Sequence, residues 1–207
     1  LVHLGGQALD SPGLDLLGVL VGSEGTLAVV TQVTLRLVRR PEAVQTLLAA
    51  FDSTDAAGNA VSEIISAGII PAAIEMMDRT TIRAAEAAVH PGFPDAEAVL
   101  IVELDGPQSE VAALFAQVEA VCVRNDGWGL QVARDEAQRG RIWMGRKAAF
   151  AAMGRIAPNY YVQDGVIPRS KLPEVLRRIR QLEIESGLTI GNVFHAGDGN
   201  LHPLVCY

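Results

Sequence analysis

The sequence predicts an α+β fold in which an antiparallel, ferredoxin-like sheet carries helices on one face. Strand-like and helix-like segments alternate from residue 41 onward, and the helix-like segments are long enough to lie across strands. The segment AVLIVELDG (98–106) is almost continuously apolar, which is typical of a buried strand. An all-parallel α/β sheet is the alternative that this pattern leaves open.

The first forty residues are predicted to contain β structure. AVVTQVTLRLV (28–38) alternates apolar and polar residues and is rich in β-branched side chains, while GSEGT (22–26) supplies a turn before it. Arg40-Pro41 interrupts the pattern, so a domain boundary is expected between residues 1–40 and 41–207.

Later elements follow from apolar periodicity and from cap residues. Ser53 and Asp78 precede helical patterns, and Gly187 follows one. The predicted strands are 44–51, 72–78, 98–106, 128–133 and 160–168, with a closing hairpin in 189–207. The predicted helices are 54–65, 78–89, 109–125, 135–153 and 171–186.

Composition restricts the classes of partner. The net charge of −7 disfavours a nucleic-acid partner, which would require a basic face. No apolar stretch is long enough to span a bilayer. The two cysteines form no C-x-x-C motif and predict no disulfide framework, so a reducing cytoplasm is expected. Because the sequence starts within a pattern and ends on the apolar run LVCY, we expect it to be part of a longer protein.

Two of the four histidines flank an Asp-Gly pair in FHAGDGNLH (194–202). If Asp198-Gly199 form a two-residue turn, His195 lies opposite His202 with the Cβ atoms about 4.5–5.5 Å apart. Both imidazoles can then reach one cation at about 2.0–2.1 Å. A metal site would need a third ligand, and a pair of packed histidines is the alternative.

The segment VGSEGT (21–26) contains glycines whose backbone N–H groups could hold a phosphate. It lacks the ending of a Walker loop, and a strand rather than a helix is predicted after it. An ordinary β-turn is the simpler interpretation of these residues alone.

Arg146 lies between Trp143 and Phe150 on one helical face. A guanidinium on such a face either pairs with an internal glutamate or grips the carboxylate of a ligand. The sequence alone leaves both interpretations open, and the internal pair is the simpler one.

Taken together, these segments resemble FAD-linked oxidases of the glycolate oxidase type, whose relatives include D-lactate and D-2-hydroxyglutarate dehydrogenases. FHAGDGNLHP is similar to a histidine segment of the family, PAAIEMMD and DGVIPRSKLP resemble its substrate-domain segments, and Trp143 to Arg146 matches its W-x-x-R motif. VGSEGTLAVVT is similar to the segment that runs along the FAD, which implies cofactor-binding roles for Gly22, Ser23, Glu24, Gly25 and Thr26.

The resemblance implies an FAD-dependent enzyme that oxidises a D-2-hydroxy acid by hydride transfer to flavin. Arg146 and Asn200 are then expected as catalytic residues, with Arg146 on the substrate carboxylate. His195 and His202 are expected to bind a divalent metal such as zinc, manganese or iron. Residues 1–40 would be the tail of the FAD-binding domain, and residues 41–207 the substrate-binding domain, truncated at its C-terminus.

Departures from the family pattern refine these expectations. Val162 and Phe150 replace polar contacts of the hydroxyglutarate enzymes, which favours a monocarboxylate such as glycolate or lactate. The E-H-G segment that carries the family's third metal ligand is not present in these 207 residues. A separate electron-acceptor subunit, a homodimer and a peripheral membrane position are compatible with the resemblance.

Two hypotheses from other classes compete with the flavoenzyme. One is a metal-dependent hydrolase that uses His195 and His202 to activate water. The other is a non-catalytic ferredoxin-like module that binds a ligand. The order of VGSEGT, the W-x-x-R motif and the histidine hairpin along the chain favours the flavoenzyme.

Overall fold

The structure is a computed structural model that describes residues 1–6 and 13–207. The chain divides into two compact units, Leu1–Arg40 and Pro41–Tyr207. The helices are α1 Leu16–Leu20, α2 Thr54–Ser66, α3 Arg79–Val89, α4 Gln108–Arg124, α5 Glu136–Ala152 and α6 Leu172–Ser186. The strands are β1 Ala43–Phe51, β2 Ala73–Asp78, β3 Ala98–Gly106, β4 Trp128–Val132, β5 Tyr160–Val162, β6 Gly165–Val166, β7 Ile190–His195, β8 Asn200–Leu201 and β9 Pro203–Cys206.

The sheet of the second unit is antiparallel at every strand pair in the described residues. Its strand order is β4-β1-β3-β2-β7-β8-β6, and β9 pairs with both β7 and β5. Because β3 pairs with both β1 and β2, these two strands run parallel to each other on either side of it, as in a split β-α-β unit. The predicted antiparallel α+β class is confirmed, and the all-parallel alternative is wrong.

Helices cover both faces of the sheet, so the prediction of helices on one face is wrong. Alternate side chains of β1 enter two separate cores: Leu47 packs in a core built with α2, α4 and α6, and Leu48 in one built with α3 and α5. Along β3, Ala98 through Leu104 are all buried. A strand that is apolar on both sides needs cover on both sides, which is what its almost continuous apolar run indicates.

Side-chain caps fix the starts of three helices close to the predicted positions. The side chains of Ser53, Asp78 and Asp135 each accept a hydrogen bond from the backbone N–H three residues later. Gly187, at φ +69°, ends α6 in the left-handed conformation that glycine adopts without strain. These local signals explain why most predicted boundaries agree with the structure to within one or two residues.

Two β predictions need correction. The segment 160–168 forms two short strands instead of one, because β5 pairs with β9 while β6 pairs with β8. Residues 28–38 form no strand: their apolar side chains are exposed, with Val29 at 86% and Leu37 at 89%. A strand needs a hydrogen-bonding neighbour, and the described residues of the first unit contain none. No helix in residues 1–6 and 13–207 is long and apolar enough to cross a membrane.

Candidate functional site

A buried carboxylate on β2 connects a histidine of β7 to an arginine of α5. Glu75 and His195 are directly opposed in the antiparallel β2–β7 pair. Glu75 Oε1 lies 2.8 Å from His195 Nδ1, while Oε2 accepts a hydrogen bond from Arg146 Nε at 2.8 Å and lies 2.8 Å from Nη2 in the same ion pair. The side chains of Glu75 and Arg146 are 7% and 8% exposed, so this ion pair is largely shielded from solvent.

The hydrogen bond from His195 to the Glu75 carboxylate determines the protonation pattern of the imidazole ring. A carboxylate only accepts hydrogen bonds, so His195 Nδ1 carries a proton in this arrangement. In the neutral imidazole, Nε2 then keeps its lone pair. The His195 side chain is 46% exposed, in contrast to the buried Glu75, so the ring can receive a cation or a ligand from outside.

The register of the histidine hairpin differs from the prediction. His195 pairs with Asn200 instead of His202, because residues 196–199 form the turn. A contact with the neighbouring strand holds this turn, since Gly197 N–H donates to the carbonyl of Ile74 on β2. Gly199 adopts φ +72°, a conformation that glycine allows without strain. The predicted direct pairing of the two histidines is therefore wrong.

His195 and His202 nevertheless lie next to each other. Their ring centroids are 5.4 Å apart and the rings meet edge to face. His202 follows Asn200, the strand partner of His195, by two positions, and such diagonal neighbours remain on one face of a sheet. The prediction that the hairpin brings both imidazoles together is confirmed.

The surroundings of His202 favour its neutral form. Burial lowers the pKa of its imidazole; the nearby Asp164 carboxylate opposes this shift, and the charges of His195 and Arg146 reinforce it. The centroids of the Phe150 and His202 rings lie 5.9 Å apart, and the two rings are tilted by 58° relative to each other. A neutral imidazole retains the lone pair that a metal ligand needs.

Arg146 pairs with an internal glutamate, yet it keeps part of its guanidinium for a ligand. Nε donates a hydrogen bond to Glu75 Oε2, and Nη2 lies 2.8 Å from the same oxygen. In the described part of the chain, Nη1 has no hydrogen-bond acceptor within reach, and a guanidinium has five N–H groups in all. The arginine carbon Cζ lies 6.0 Å from the centre of the Phe150 ring. The free N–H groups could hold a carboxylate end-on.

Asn200 also has an unsatisfied polar atom in this region. Its Oδ1 is buried without a hydrogen-bond partner in the described structure. Buried polar atoms are normally satisfied, so an unpartnered amide oxygen opposite His195 indicates a place for a donor from a ligand or a water molecule.

The protein groups do not complete a metal site by themselves. Within residues 1–6 and 13–207, no three side chains of His, Cys, Asp or Glu are grouped so that they could hold a metal ion. The carboxylate of Asp164 lies 3.6 Å from His202 Nδ1, and that of Glu75 is already committed to Arg146 and His195. The structure thus offers two imidazole ligands, and any further ligand would have to come from outside the described residues.

The motif at 22–26 forms the predicted turn. Gly22 and Gly25 have φ angles of +84° and +77°, and Thr26 N–H donates to the carbonyl of Ser23 at 2.9 Å. Glu24 also adopts a positive φ, at +50°. Backbone N–H groups in turns of this kind can bind an anionic ligand.

Glu75 is the site residue that the sequence analysis did not identify. A charged residue inside the apolar strand AIEMMD, directly before the fully buried Met76-Met77 pair, is the signal that could have found it. Charged side chains are rarely buried unless they are paired, so this glutamate had to have a cationic or hydrogen-bonding partner.

The family model for the C-terminal domain of FAD-linked oxidases matches residues 40–207. The chain belongs to the FAD-linked oxidase C-terminal domain family. Its family relatives include the glycolate oxidase subunit GlcD of Escherichia coli K12, 51% identical over 99% of this chain, and GlcD of Bacillus subtilis, 38% identical over 98%. A probable mitochondrial D-lactate dehydrogenase of Danio rerio is 30% identical over 93%.

The chain spans less than half of the length of these relatives, namely 41%, 44% and 39% of them. Among solved structures, an alkyldihydroxyacetonephosphate synthase matches 93% of this chain and 42% of its own with a TM-score of 0.71 at 18% identity. A p-cresol methylhydroxylase matches 81% of this chain and 39% of its own with a TM-score of 0.54 at 10% identity. These likenesses concern the fold, and the family membership favours the flavoenzyme over the hydrolase and the non-catalytic module.

Proposed function

We propose that this chain is the substrate-binding part of a longer FAD-dependent enzyme that oxidises glycolate or D-lactate to the 2-oxo acid. The family membership and the names of the relatives support an oxidoreductase that acts on 2-hydroxy acids. The observation that carries the proposal is the juxtaposition of a partly free guanidinium, on Arg146, with the paired imidazoles of His195 and His202. A 2-hydroxy acid needs a cation for its carboxylate and a second polar group for its hydroxyl.

Arg146 binds the substrate carboxylate in this proposal. Its Nη1 and the outer N–H of Nη2 are the donors that Glu75 leaves free, and they match the two oxygens of a carboxylate. Because the guanidinium is buried against Phe150, the resulting ion pair is shielded from water and is stronger than an exposed one. This contact fixes one end of the substrate.

His195 and His202 would hold a divalent metal near the substrate hydroxyl. The two neighbouring rings, the free Nε2 of His195 and the lowered pKa of His202 fit zinc, manganese or iron, with further ligands from substrate, water or protein outside the described residues. When bound, such a metal supplies a Lewis acid that makes the hydroxyl more acidic. Asn200 would accept a hydrogen bond at the same place through its unpartnered Oδ1.

Residues Gly22, Ser23, Glu24, Gly25 and Thr26 would contact the FAD, and we place residues 1–40 in the FAD-binding domain and residues 41–207 in the substrate-binding domain. The turn at 22–26 supports this assignment, because the backbone N–H groups of glycine-rich turns can bind an anion such as a phosphate. When bound, FAD supplies the acceptor for the hydride that leaves the substrate carbon. The role of the chain is to align that carbon and to neutralise the carboxylate.

The apolar wall of the site favours a small monocarboxylate. Phe150 lies against both Arg146 and His202, and the side chain of Val162 is on the short strand β5. A second substrate carboxylate placed against the Phe150 ring would lose hydration without gaining a cation. Glycolate or D-lactate therefore fits better than a dicarboxylate.

The relatives named as parts of a glycolate oxidase suggest an assembly with other proteins. We propose that a separate electron-acceptor protein or subunit reoxidises the flavin, and that the enzyme works in the cytoplasm or at the membrane periphery. A homodimer is a second arrangement that this proposal accommodates.

The test is spectroscopic and uses the longer protein that includes this chain. We expect flavin absorbance in the purified protein and anaerobic bleaching by glycolate or D-lactate. D-2-hydroxyglutarate should bleach it more slowly, and acetate, which lacks the hydroxyl, should leave it oxidised. A protein without flavin, or one that none of these 2-hydroxy acids reduces, would contradict the proposal.

A further inference from the structure

In the described structure, the Glu75 carboxylate is hydrogen-bonded to both Arg146 and His195. Its two oxygens are divided between them: Oε1 takes the imidazole Nδ1, and Oε2 takes the guanidinium Nε and Nη2, with all three contacts at 2.8 Å. We propose that Glu75 is a positioning residue that sets the tautomer of His195 and the orientation of Arg146 together. This inference rests on the proposed function, in which these two residues bind a metal and a carboxylate.

The first step concerns the imidazole. A metal-binding histidine normally donates its second ring N–H to a carboxylate or carbonyl, and that bond determines which nitrogen faces the metal. Glu75 supplies such a carboxylate to Nδ1, so Nε2 is the nitrogen left for a metal. Losing such a supporting bond typically weakens metal binding about 10–100-fold.

The second step concerns the guanidinium. Arg146 is anchored by the hydrogen bond from Nε and by the ion-pair contact of Nη2, and Nη1 takes no part in either contact. An arginine side chain has many rotamers, and fixing one edge on a buried carboxylate limits where the other edge can lie. Glu75 thus determines the direction in which a substrate carboxylate can be gripped.

The third step is that strand register places the carboxylate between its two partners. Glu75 lies opposite His195 in the β2–β7 pair and opposite Ile101 in the β2–β3 pair. The glutamate is therefore fixed by two neighbouring strands. A shift by one residue would direct its side chain to the other face of the sheet.

The chain contains a matched control on the neighbouring strand. Glu103 on β3 is also buried and also pairs with an arginine of α5, namely Arg139, seven residues before Arg146. It accepts further bonds from Thr46 and Trp143 but has no histidine partner. Glu103→Gln therefore removes a buried glutamate that pairs with another arginine of α5, and it leaves the contacts of His195 unchanged.

The experiment compares wild type, Glu75→Gln and Glu103→Gln in the longer FAD-containing protein. Zinc and manganese affinities are measured by chelator competition without substrate, and KM and kcat for glycolate and D-lactate with metal in excess. We expect Glu75→Gln to weaken metal binding about tenfold or more and to raise KM more than it lowers kcat. Glu103→Gln should stay within about twofold of wild type in both measurements.

Folding is checked by thermal unfolding and FAD content. If Glu75→Gln does not fold, Glu75→Asp replaces it, because aspartate keeps the charge that Arg146 needs while its shorter side chain cannot reach both partners. Metal affinity is then expected to fall and KM to rise as in Glu75→Gln, but by smaller factors. Metal affinity and KM within about twofold of wild type in a folded Glu75 variant would overturn the inference, as would equal losses in Glu103→Gln.

A further measurement separates this inference from the proposed function. Nitrogen NMR of labelled histidines, assigned with His195→Gln, reports the tautomer of His195 without any need for metal or substrate. We expect the proton on Nδ1 in wild type and a shift toward the other tautomer in Glu75→Gln. A proton on Nε2 in wild type overturns the inference alone, whereas a wild-type protein that binds no metal and oxidises no 2-hydroxy acid contradicts the proposed function.

Discussion

Glu75 on β2 lies directly opposite His195 on β7, and its carboxylate joins that imidazole to the guanidinium of Arg146. Glu75 is 71 residues from Arg146 and 120 residues from His195 along the chain. The site is thus a product of strand order, because only the β2–β7 pairing brings the glutamate to the histidine hairpin. Substitution of either His195 or Arg146 is therefore expected to affect both substrate binding and metal binding.

Arg146→Lys should reduce catalytic efficiency although it keeps the positive charge. A lysine ammonium cannot bond Glu75 and a substrate carboxylate with the geometry of a planar guanidinium. Loss of one charge-assisted hydrogen bond, worth about 1.5–3 kcal/mol, corresponds to a decrease of about 10–150-fold in kcat/KM for glycolate or D-lactate. Steady-state kinetics on the FAD-containing protein measure it.

Arg139→Lys is the control for that substitution, since Arg139 lies on the same helix and pairs with Glu103. Its kcat/KM should stay close to wild type. Equal decreases in the two variants would show that the arginines contribute to the packing of α5 and not to substrate binding.

His202→Ala should abolish most metal-dependent turnover while the flavin stays bound. The substitution removes one of the two neighbouring imidazoles and leaves the turn at 22–26 unchanged. Metal content by elemental analysis and flavin content by absorbance give the two readouts, and chelation of the wild type should have the same effect. His90→Asn is the control, because asparagine tolerates the left-handed conformation in which His90 ends α3. Full turnover in His202→Ala would rule out a metal role for this residue.

Local signals predict most of the secondary structure. Caps such as Ser53, Asp78 and Asp135 and the stop at Gly187 mark helix ends from the sequence, and their hydrogen bonds are present. The almost continuous apolar run of β3 indicates cover on both faces of the sheet, but the assignment of helices to each face requires the tertiary structure. Residues 28–38 show the same dependence on tertiary structure. Their alternating pattern predicts a strand, but no partner strand for it is present among the described residues.

The candidate site could also be predicted from the sequence only in part. The sequence places His195 and His202 together, because a short hairpin restricts the separation of its two arms. The sequence could not supply the register, which depends on the bond from Gly197 N–H to Ile74 on β2. Nor could it pair Glu75 with Arg146, since that requires the strand order and the placement of α5.

Two glycines of α5 should respond to alanine in opposite ways. A Cβ at Gly145 would lie 2.5 Å from the Phe93 ring and 2.7 Å from Pro91, whereas a Cβ at Gly140 meets nothing within 4 Å. Gly140→Ala should therefore raise the free energy of unfolding by about 0.5–1 kcal/mol through helix propensity.

Gly145→Ala should lower the free energy of unfolding by about 1–3 kcal/mol, because the added Cβ would overlap the buried Phe93 ring and overpack the core. It should also displace the adjacent Arg146. Urea unfolding of both variants provides the measurement, and an equal stabilisation by the two substitutions would show that α5 can move away from Phe93 without cost.

Asp78 should make the stability of the fold depend on pH. Burial raises the pKa of its carboxyl from 3.8 to about 6, against the opposing effect of hydrogen bonds from Thr81 and Asn192. The folded state then binds more protons than the unfolded state between about pH 4 and pH 6, so the free energy of unfolding falls as pH rises through this range. The expected decrease is about 3 kcal/mol.

Asp78→Asn removes the titrating group, so the unfolding free energy should lose this slope between about pH 4 and pH 6. Urea titrations followed by the two tryptophans, Trp128 and Trp143, measure it. Asp135→Asn is the matched control, because Asp135 also caps a helix but lies exposed at the start of α5, and asparagine caps equally well. It should leave the slope in place. If Asp78→Asn keeps the wild-type slope, burial of this carboxylate between α3 and β7 is not what couples folding to protons.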